Sequence, residues 1–293
     1  MLHRLVFHND RILPLEQVRL SPGQAAVING WGLFSTLRVY DGTPFAFERH
    51  WKRLATDAGR IQLPLEFSPE AVREQMLELI AANQVRSGCV RIYFLHNKVG
   101  IWRSDEPFPT VDLVMYTTDL PSRVGATRLS LFPNGRHAAH PLTGTKVTSW
   151  LNNAWAVEQA HRRGFDDALL LNEHGNVSEC TAANVFCVFG EEVATPPLTS
   201  GCLPGVTRQI LLEVAPSAGV RIHERNFTFE EMKRAGEVFI TSTTRQVQAI
   251  SHVEDHLFAH APGPVTSRLD KLFSHYVANY IASAGERAAV RRA

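Results

Sequence analysis

Lys146 stands in "HPLTGTKVTSWLNNAW", residues 140–155, between a segment rich in Gly, Pro and Thr and the start of a helical pattern. No acidic residue lies close in sequence to pair with it; a lysine amine can attack a carbonyl, and does so better when desolvated or set near other cations. Three further stretches could bind an anion. "LPGVTRQILLEV" places Gly205, Val206 and Thr207 at a helix start, where unpaired N–H groups and the helix dipole favour a phosphate. A hydroxyl residue there also serves as a plain cap. "FITSTTR" supplies Ser242 and Thr243 just after a strand, where a tight turn forms either a nest of N–H groups or an ordinary polar turn. Arg53 in "ERHWKRL" lies beside the apolar stripe of a helix, and is either solvated or placed to grip a phosphate bidentately.

A lysine and several phosphate devices fit together if the phosphate belongs to pyridoxal 5'-phosphate, whose aldehyde reacts with an amine. That cofactor needs a carboxylate to keep its ring nitrogen protonated, and Glu179 closes a strand pattern just before the small residues of "CTAAN". Competing chemistries lack their motifs. There is no GxxxxGK[ST] loop and no GxSxG elbow, and Gly30 and Gly32 in "NGWGLF" lack the third glycine of a dinucleotide turn. His252 and His256 have the spacing of two metal ligands on a helix, but their segment reads as a turn and has no HExxH glutamate, so no metal is expected.

These residues must be carried by a scaffold, and 293 residues with 44% apolar content suffice for two domains. A net charge of +1, from 30 basic and 29 acidic residues, offers no excess for nucleic acid or an anionic membrane. Cys89, Cys180, Cys187 and Cys202 form no CxxC pair and read as reduced, buried thiols of a cytoplasmic protein; no apolar run suggests a signal peptide or a membrane span.

Short apolar runs around His8, Asn9 and Asp10 predict a hairpin. Trp51, Leu54, Ala58 and Ile61 mark one helix, and "SPEAVREQMLELIAAN" marks another, with Ser68 as cap and Pro69 at its first position. "CVRIYFLHN" and "TVDLVMYTT" read as strands. This gives an N-terminal α/β domain over 1–120, a linker over 121–126 in "DLPSRVGA", and a C-terminal domain over 127–293. The second domain alternates strands with helices near 149–163, after Pro204 and at the C-terminus, where Leu269, Leu272, Phe273, Tyr276 and Tyr280 share a face.

Six stretches, "NGWGLFSTLRVYDG", "ERHWKRL", "GTKVTSWL", "DDALLLNEHGNVSECTAANVF", "LPGVTR" and "EVFITSTT", together resemble the fold-type IV, or class IV, pyridoxal-phosphate aminotransferases, in the family's order and at about its spacing. That family includes branched-chain and D-amino acid aminotransferases and 4-amino-4-deoxychorismate lyases. The resemblance implies an α+β fold of two lobes, a smaller N-terminal α/β lobe and a larger C-terminal pseudo-barrel, with the cofactor between them, in a homodimer. It implies that Lys146 is the Schiff-base lysine and proton shuttle, Glu179 the partner of the pyridine nitrogen and Arg53 a phosphate ligand. Val206, Thr207, Ser242 and Thr243 match the phosphate cup, and Asn184 a residue near the ring. Trp31, Phe34, Thr36, Arg38 and Arg91 match substrate-side positions; core packing is the other reading of the aromatic ones.

The implied activity is transfer of an amino group from an amino acid, of branched-chain or D type, or an amine to a 2-oxo acid. The lyase reaction, which eliminates pyruvate from aminodeoxychorismate, is the alternative, and a catalytically inactive phosphate-binding relative is a second. Leu151 stands where branched-chain enzymes typically carry a tyrosine, and "LHNKVGIWR" does not reproduce the Arg-x-His carboxylate trap of the best-known D-amino acid enzymes. Arg91, in contrast, matches an arginine with which branched-chain enzymes hold a substrate carboxylate.

Overall fold

Strand β1 (Leu2–His8) turns at Asn9, whose φ is 58°, into β2 (Arg11–Pro14), so the first hairpin forms where a residue tolerant of the left-handed region stands. The computed structural model describes residues 1–97, 109–121 and 125–290. Residues 122–124 of the stretch expected to be a linker, and part of "LHNKVGIWR", lie outside these. Two compact units are present: Met1–Pro121 with Thr145–Trp150 and Ala278–Ala293, and Ser122–Gly144 with Leu151–Val277. The lysine-bearing segment therefore belongs to the first.

In the first unit, α1 (Ala25–Asn29) leads to β3 (Gly32–Tyr40) and the short β4 (Thr43–Pro44). Helices α2 (Phe47–Arg60) and α3 (Pro69–Ala82) precede β5 (Ser87–His96) and β6 (Val111–Thr118). Ser68 caps α3 by accepting the Ala71 N–H, with Pro69 in the first turn, as its sequence predicts. The sheet is antiparallel in the order β2-β1-β6-β5-β3-β4.

Alternation along the strands gives this sheet two chemically different faces. Leu33, Leu37, Val39, Val90, Ile92, Phe94, Leu113 and Met115 pack with Leu54 and Ala58 of α2 and Val72, Met76 and Leu79 of α3 into the main core. The opposite face carries Phe34, Thr36 and Arg38 of β3, with Tyr93 across from Phe34 and Arg91 across from Thr36. Tyr116 of β6 lies across from Arg91.

The second unit begins with β7 (Thr127–Phe132), α4 (Leu151–Arg162), β8 (Asp167–Leu171), β9 (Val177–Cys180), β10 (Asn184–Phe189) and β11 (Glu192–Thr195). It continues with α5 (Val206–Val214), β12 (Arg221–Glu224), the single turn α6 (Phe229–Met232), β13 (Glu237–Ser242), β14 (Gln246–Val253) and β15 (His256–Leu257). Helix α7 (Pro264–Val290) closes the described chain, with Leu269 and Phe273 of its apolar face buried. Its first turn is capped by Glu237, whose carboxylate accepts the Val265 and Thr266 N–H groups.

The mixed sheet runs β12-β11-β10-β13-β14-β7-β8-β9, with β15 paired to β14. The Cys180 N–H donates to the Ala183 carbonyl, so β9 at one end of the sheet turns directly into β10, and the sheet curls into a half-barrel. All four cysteines are buried and free. No helix among the described residues is long and apolar enough to cross a membrane.

Candidate active site

Lys146 is held by its main chain. Its N–H donates to Asp57 Oδ2 at 3.1 Å, and its carbonyl accepts the Phe34 N–H at 3.1 Å. Val147 then bridges Leu33, the Thr148 N–H reaches the Gly32 carbonyl, and Thr148 Oγ1 donates to the Gly30 carbonyl. The glycines of "NGWG" explain this close approach. A Cβ on Gly30, whose φ is +66°, would lie 2.7 Å from Ser149 Cα, and one on Gly32 would lie 2.8 Å from the Phe94 carbonyl oxygen. What reads in sequence as an incomplete nucleotide turn is the notch into which the lysine segment packs.

The Lys146 Nζ sits 4.4 Å from the Phe34 ring centroid, within cation–π range. Phe34 stacks on Tyr93 at 5.5 Å, Tyr93 stacks on Tyr116 at 5.6 Å, and the two phenols are 3.0 Å apart. The amine is thus next to the sheet face that also carries Thr36, Arg38 and Arg91. Arg38 lies over the Tyr40 ring at 4.9 Å. Trp31 differs from these: its indole N–H donates to the Ile61 carbonyl at 3.0 Å, which ties it to the end of α2.

Helix α2 faces this sheet with His50, Arg53 and Asp57, all buried. Burial pushes Arg53 down to about 10, opposed by Asp57. Burial raises the Asp57 carboxyl, against the Lys146 N–H and the charges of Arg53, Arg60 and Lys146. Protonation of this carboxyl is linked to folding stability. Folded Asp57 binds its proton more tightly than the unfolded chain does, so its ionisation costs stability as pH rises from about 4, the unfolded carboxyl's range, through the folded pKa. Asp57→Asn keeps an acceptor for the Lys146 N–H. Its stability in urea denaturation should match wild type near pH 4 and equal or exceed it at pH 7; a loss confined to neutral pH contradicts this.

In the second unit, Glu179 is buried on β9. Its Oε1 accepts from Arg136 Nε at 2.9 Å and its Oε2 from the Leu203 N–H at 3.1 Å. Arg136 also donates to Asn153 Oδ1 at 2.9 Å. An ionised carboxylate has about four acceptor positions, so two bonds leave capacity for another donor.

Asn184 holds the same segment, donating to the Leu203 carbonyl at 2.8 Å. The segment leads into α5, whose cap is Gly205; no side chain among the described residues caps it, and Val206 and Thr207 are buried in its first turn. A Cβ on Gly205 would fall 2.1 Å from Asn184 Oδ1. Gly205→Ala must therefore displace Asn184 or the helix start. We expect it to cost about 2 kcal/mol in urea denaturation, as overpacking does, and to weaken phosphate-dependent cofactor binding. An unchanged variant contradicts this placement.

Ser242 is the last residue of β13, and Thr243 follows it. Asn184 pairs with Thr241, so Ser242 lies one residue beyond Asn184's partner. Ser242 Oγ accepts the Arg245 N–H, and Arg245 donates to the fully buried Asp167 at 2.6 Å, which fixes the turn. The structure thus gathers Lys146, Arg53, Phe34, Thr36, Arg38 and Arg91 in one unit. It gathers Glu179, Asn184, Val206, Thr207 and the Ser242–Thr243 turn in the other. Sequence reasoning missed Ser35, His50, Asp57, Arg136, Asp167 and Arg245, whose roles arise from contacts distant in sequence. His252 and His256 occupy adjoining antiparallel strands rather than a helix, in register with Leu257 and Val253.

One unit thus holds a lysine against a sheet face together with a helix-borne arginine, and the other holds a buried carboxylate and a helix start with no side-chain cap among the described residues. The family model described as "Amino-transferase class IV" matches residues 32–253, and the chain belongs to that family. It is 27% identical to the aminodeoxychorismate lyase of Bacillus subtilis (strain 168), over 97% of this chain and 98% of that protein. It is 28% identical to a D-alanine aminotransferase of Listeria monocytogenes, over 92% of this chain and 94% of the relative. In fold it is similar to the branched-chain aminotransferase of Thermoproteus uzoniensis, with a TM-score of 0.86 and 24% identity, covering 95% and 96% of the two chains.

Enzymes of this family depend on pyridoxal 5'-phosphate. The residues present suit it: Lys146 is anchored through its backbone N–H to Asp57, and its Nζ stands 4.4 Å from the Phe34 ring centroid. Glu179 retains acceptor capacity, and Gly205 opens α5 without a side chain that could cover its first N–H groups.

Proposed function

We propose that this protein is an aminotransferase that moves an amino group from an amino acid, of branched-chain or D type, or an amine to a 2-oxo acid. The observation that carries this reading is Lys146 Nζ over Phe34, on the face that also bears Arg38 and Arg91. Bound pyridoxal 5'-phosphate supplies an aldehyde for amines and a ring that takes up the electrons left when a proton departs from the substrate.

The chain's own residues do the rest. Lys146 Nζ takes the substrate α-proton and returns it, its position set by Asp57 and β3. Arg53, the Val206 and Thr207 N–H groups, and Ser242 and Thr243 hold the phosphate. Glu179, braced by Arg136, keeps the proton on the ring nitrogen, and Asn184 secures the start of α5. Arg38 and Arg91 attract substrate carboxylates, with Trp31, Phe34 and Thr36 shaping the same side. The working form is a homodimer, and the four buried thiols suit the reducing cytoplasm.

The lyase reading draws support from the Bacillus subtilis relative, while Leu151 counts only against a standard branched-chain enzyme. Spectroscopy of the holoenzyme with single amino donors of both hands separates the two. Conversion to the pyridoxamine form supports transfer. Indifference to the whole donor panel, together with pyruvate release from aminodeoxychorismate, would establish the lyase instead.

A further inference from the structure

Ser35, His50 and Arg53 form a buried chain between β3 and α2. Ser35 is 0%, His50 2% and Arg53 9% exposed. Arg53 Nη2 donates to Ser35 Oγ at 2.9 Å, and the same oxygen lies 2.9 Å from His50 Nδ1. The proton inventory decides the direction of the second bond. A guanidinium only donates, so the Arg53 bond uses a Ser35 lone pair. The hydroxyl carries one proton, and a buried hydroxyl needs an acceptor for it. Among the described residues its partners are Arg53 and His50, and only the imidazole can accept.

His50 is therefore neutral, with its proton on Nε2 and its Nδ1 turned to Ser35. The reverse arrangement would aim two donors at one oxygen and leave its own proton without an acceptor. An imidazolium is disfavoured too: burial first, then the charges of Arg53 and Lys146, hold His50 well below the usual histidine range. His50 and Arg53 are three residues apart on α2, on the side of the helix that meets Ser35.

We infer that His50 is a positioning residue: by accepting the Ser35 proton it fixes a Ser35 lone pair toward Arg53 and orients the guanidinium for the cofactor phosphate. This rests on the reading of Arg53 as a phosphate ligand. Equilibrium binding of pyridoxal 5'-phosphate and of unphosphorylated pyridoxal to the cofactor-stripped full chain tests both statements. His50→Ala should bind pyridoxal 5'-phosphate about tenfold more weakly and pyridoxal as wild type does. His50→Asn, whose Oδ1 takes the place of Nδ1, should recover most of the loss, and His50→Gln should not. In an Arg53→Gln background, His50→Ala should add nothing.

Equal weakening toward both ligands, or additive losses in the double variant, overturns the inference. So does a normal His50→Ala where Arg53→Gln alone loses phosphate preference. An Arg53→Gln variant with intact phosphate preference instead overturns the underlying phosphate reading, and the inference with it. Nitrogen-15 histidine spectra of the wild-type chain give an answer even where variants fail to fold: an acceptor signal at His50 Nδ1 is expected, and an Nδ1–H signal refutes the proposal.

Discussion

Lys146→Ala should lose at least about a thousandfold in turnover, the order of effect expected when the group that moves the proton is removed, while remaining folded. The reason lies in how the residue is held. Its N–H to Asp57 and its carbonyl to Phe34 are main-chain bonds that alanine keeps, and the Val147 and Thr148 contacts are untouched. What disappears is the amine over Phe34. Stopped-flow turnover and thermal melting check the two halves separately. Retained activity in a folded variant would remove Lys146 from the chemistry, whereas loss of fold would show the side chain to be structural.

Glu179→Gln should fail differently. The amide keeps an acceptor oxygen but no charge, so the ring nitrogen's pKa should fall by about two units, cutting its protonated fraction at neutral pH and slowing proton abstraction about a hundredfold. The same change leaves Arg136, which is largely buried, without its counter-charge. Losing the partner of such a pair costs roughly 2 to 3 kcal/mol, readable in urea denaturation. Arg136→Met with Glu179→Gln should restore much of the stability and none of the turnover. If the single variant is fully active, Glu179 is only a structural partner of Arg136 and the Leu203 N–H.

Local patterns made much of the fold legible. Ser68 and Pro69 start α3 because cap and first-turn preferences act over four residues, and the Asn9 turn is set by one residue's tolerance of positive φ. Gly205 at the start of α5 could be read for the same reason. Contacts across long separations could not. Asp57 meets the Lys146 N–H across 89 positions, and Arg136 meets Glu179 across 43. Nothing in the spacing of either pair marks the meeting, which depends on how α2 lies on β3 and how the loop after β7 returns to β9. Gly30 and Gly32 show the same limit from another side. Their demand is for space against Ser149 and Phe94, and only the assembled sheet reveals who occupies it.

The central claim is that Lys146 carries the cofactor. Borohydride reduction of the holoenzyme, followed by proteolysis and mass spectrometry, tests it most directly. The account predicts a phosphopyridoxyl group on the peptide containing Lys146 and on no other lysine. A label on a different lysine, or a chain that takes up no pyridoxal 5'-phosphate at all, would contradict it.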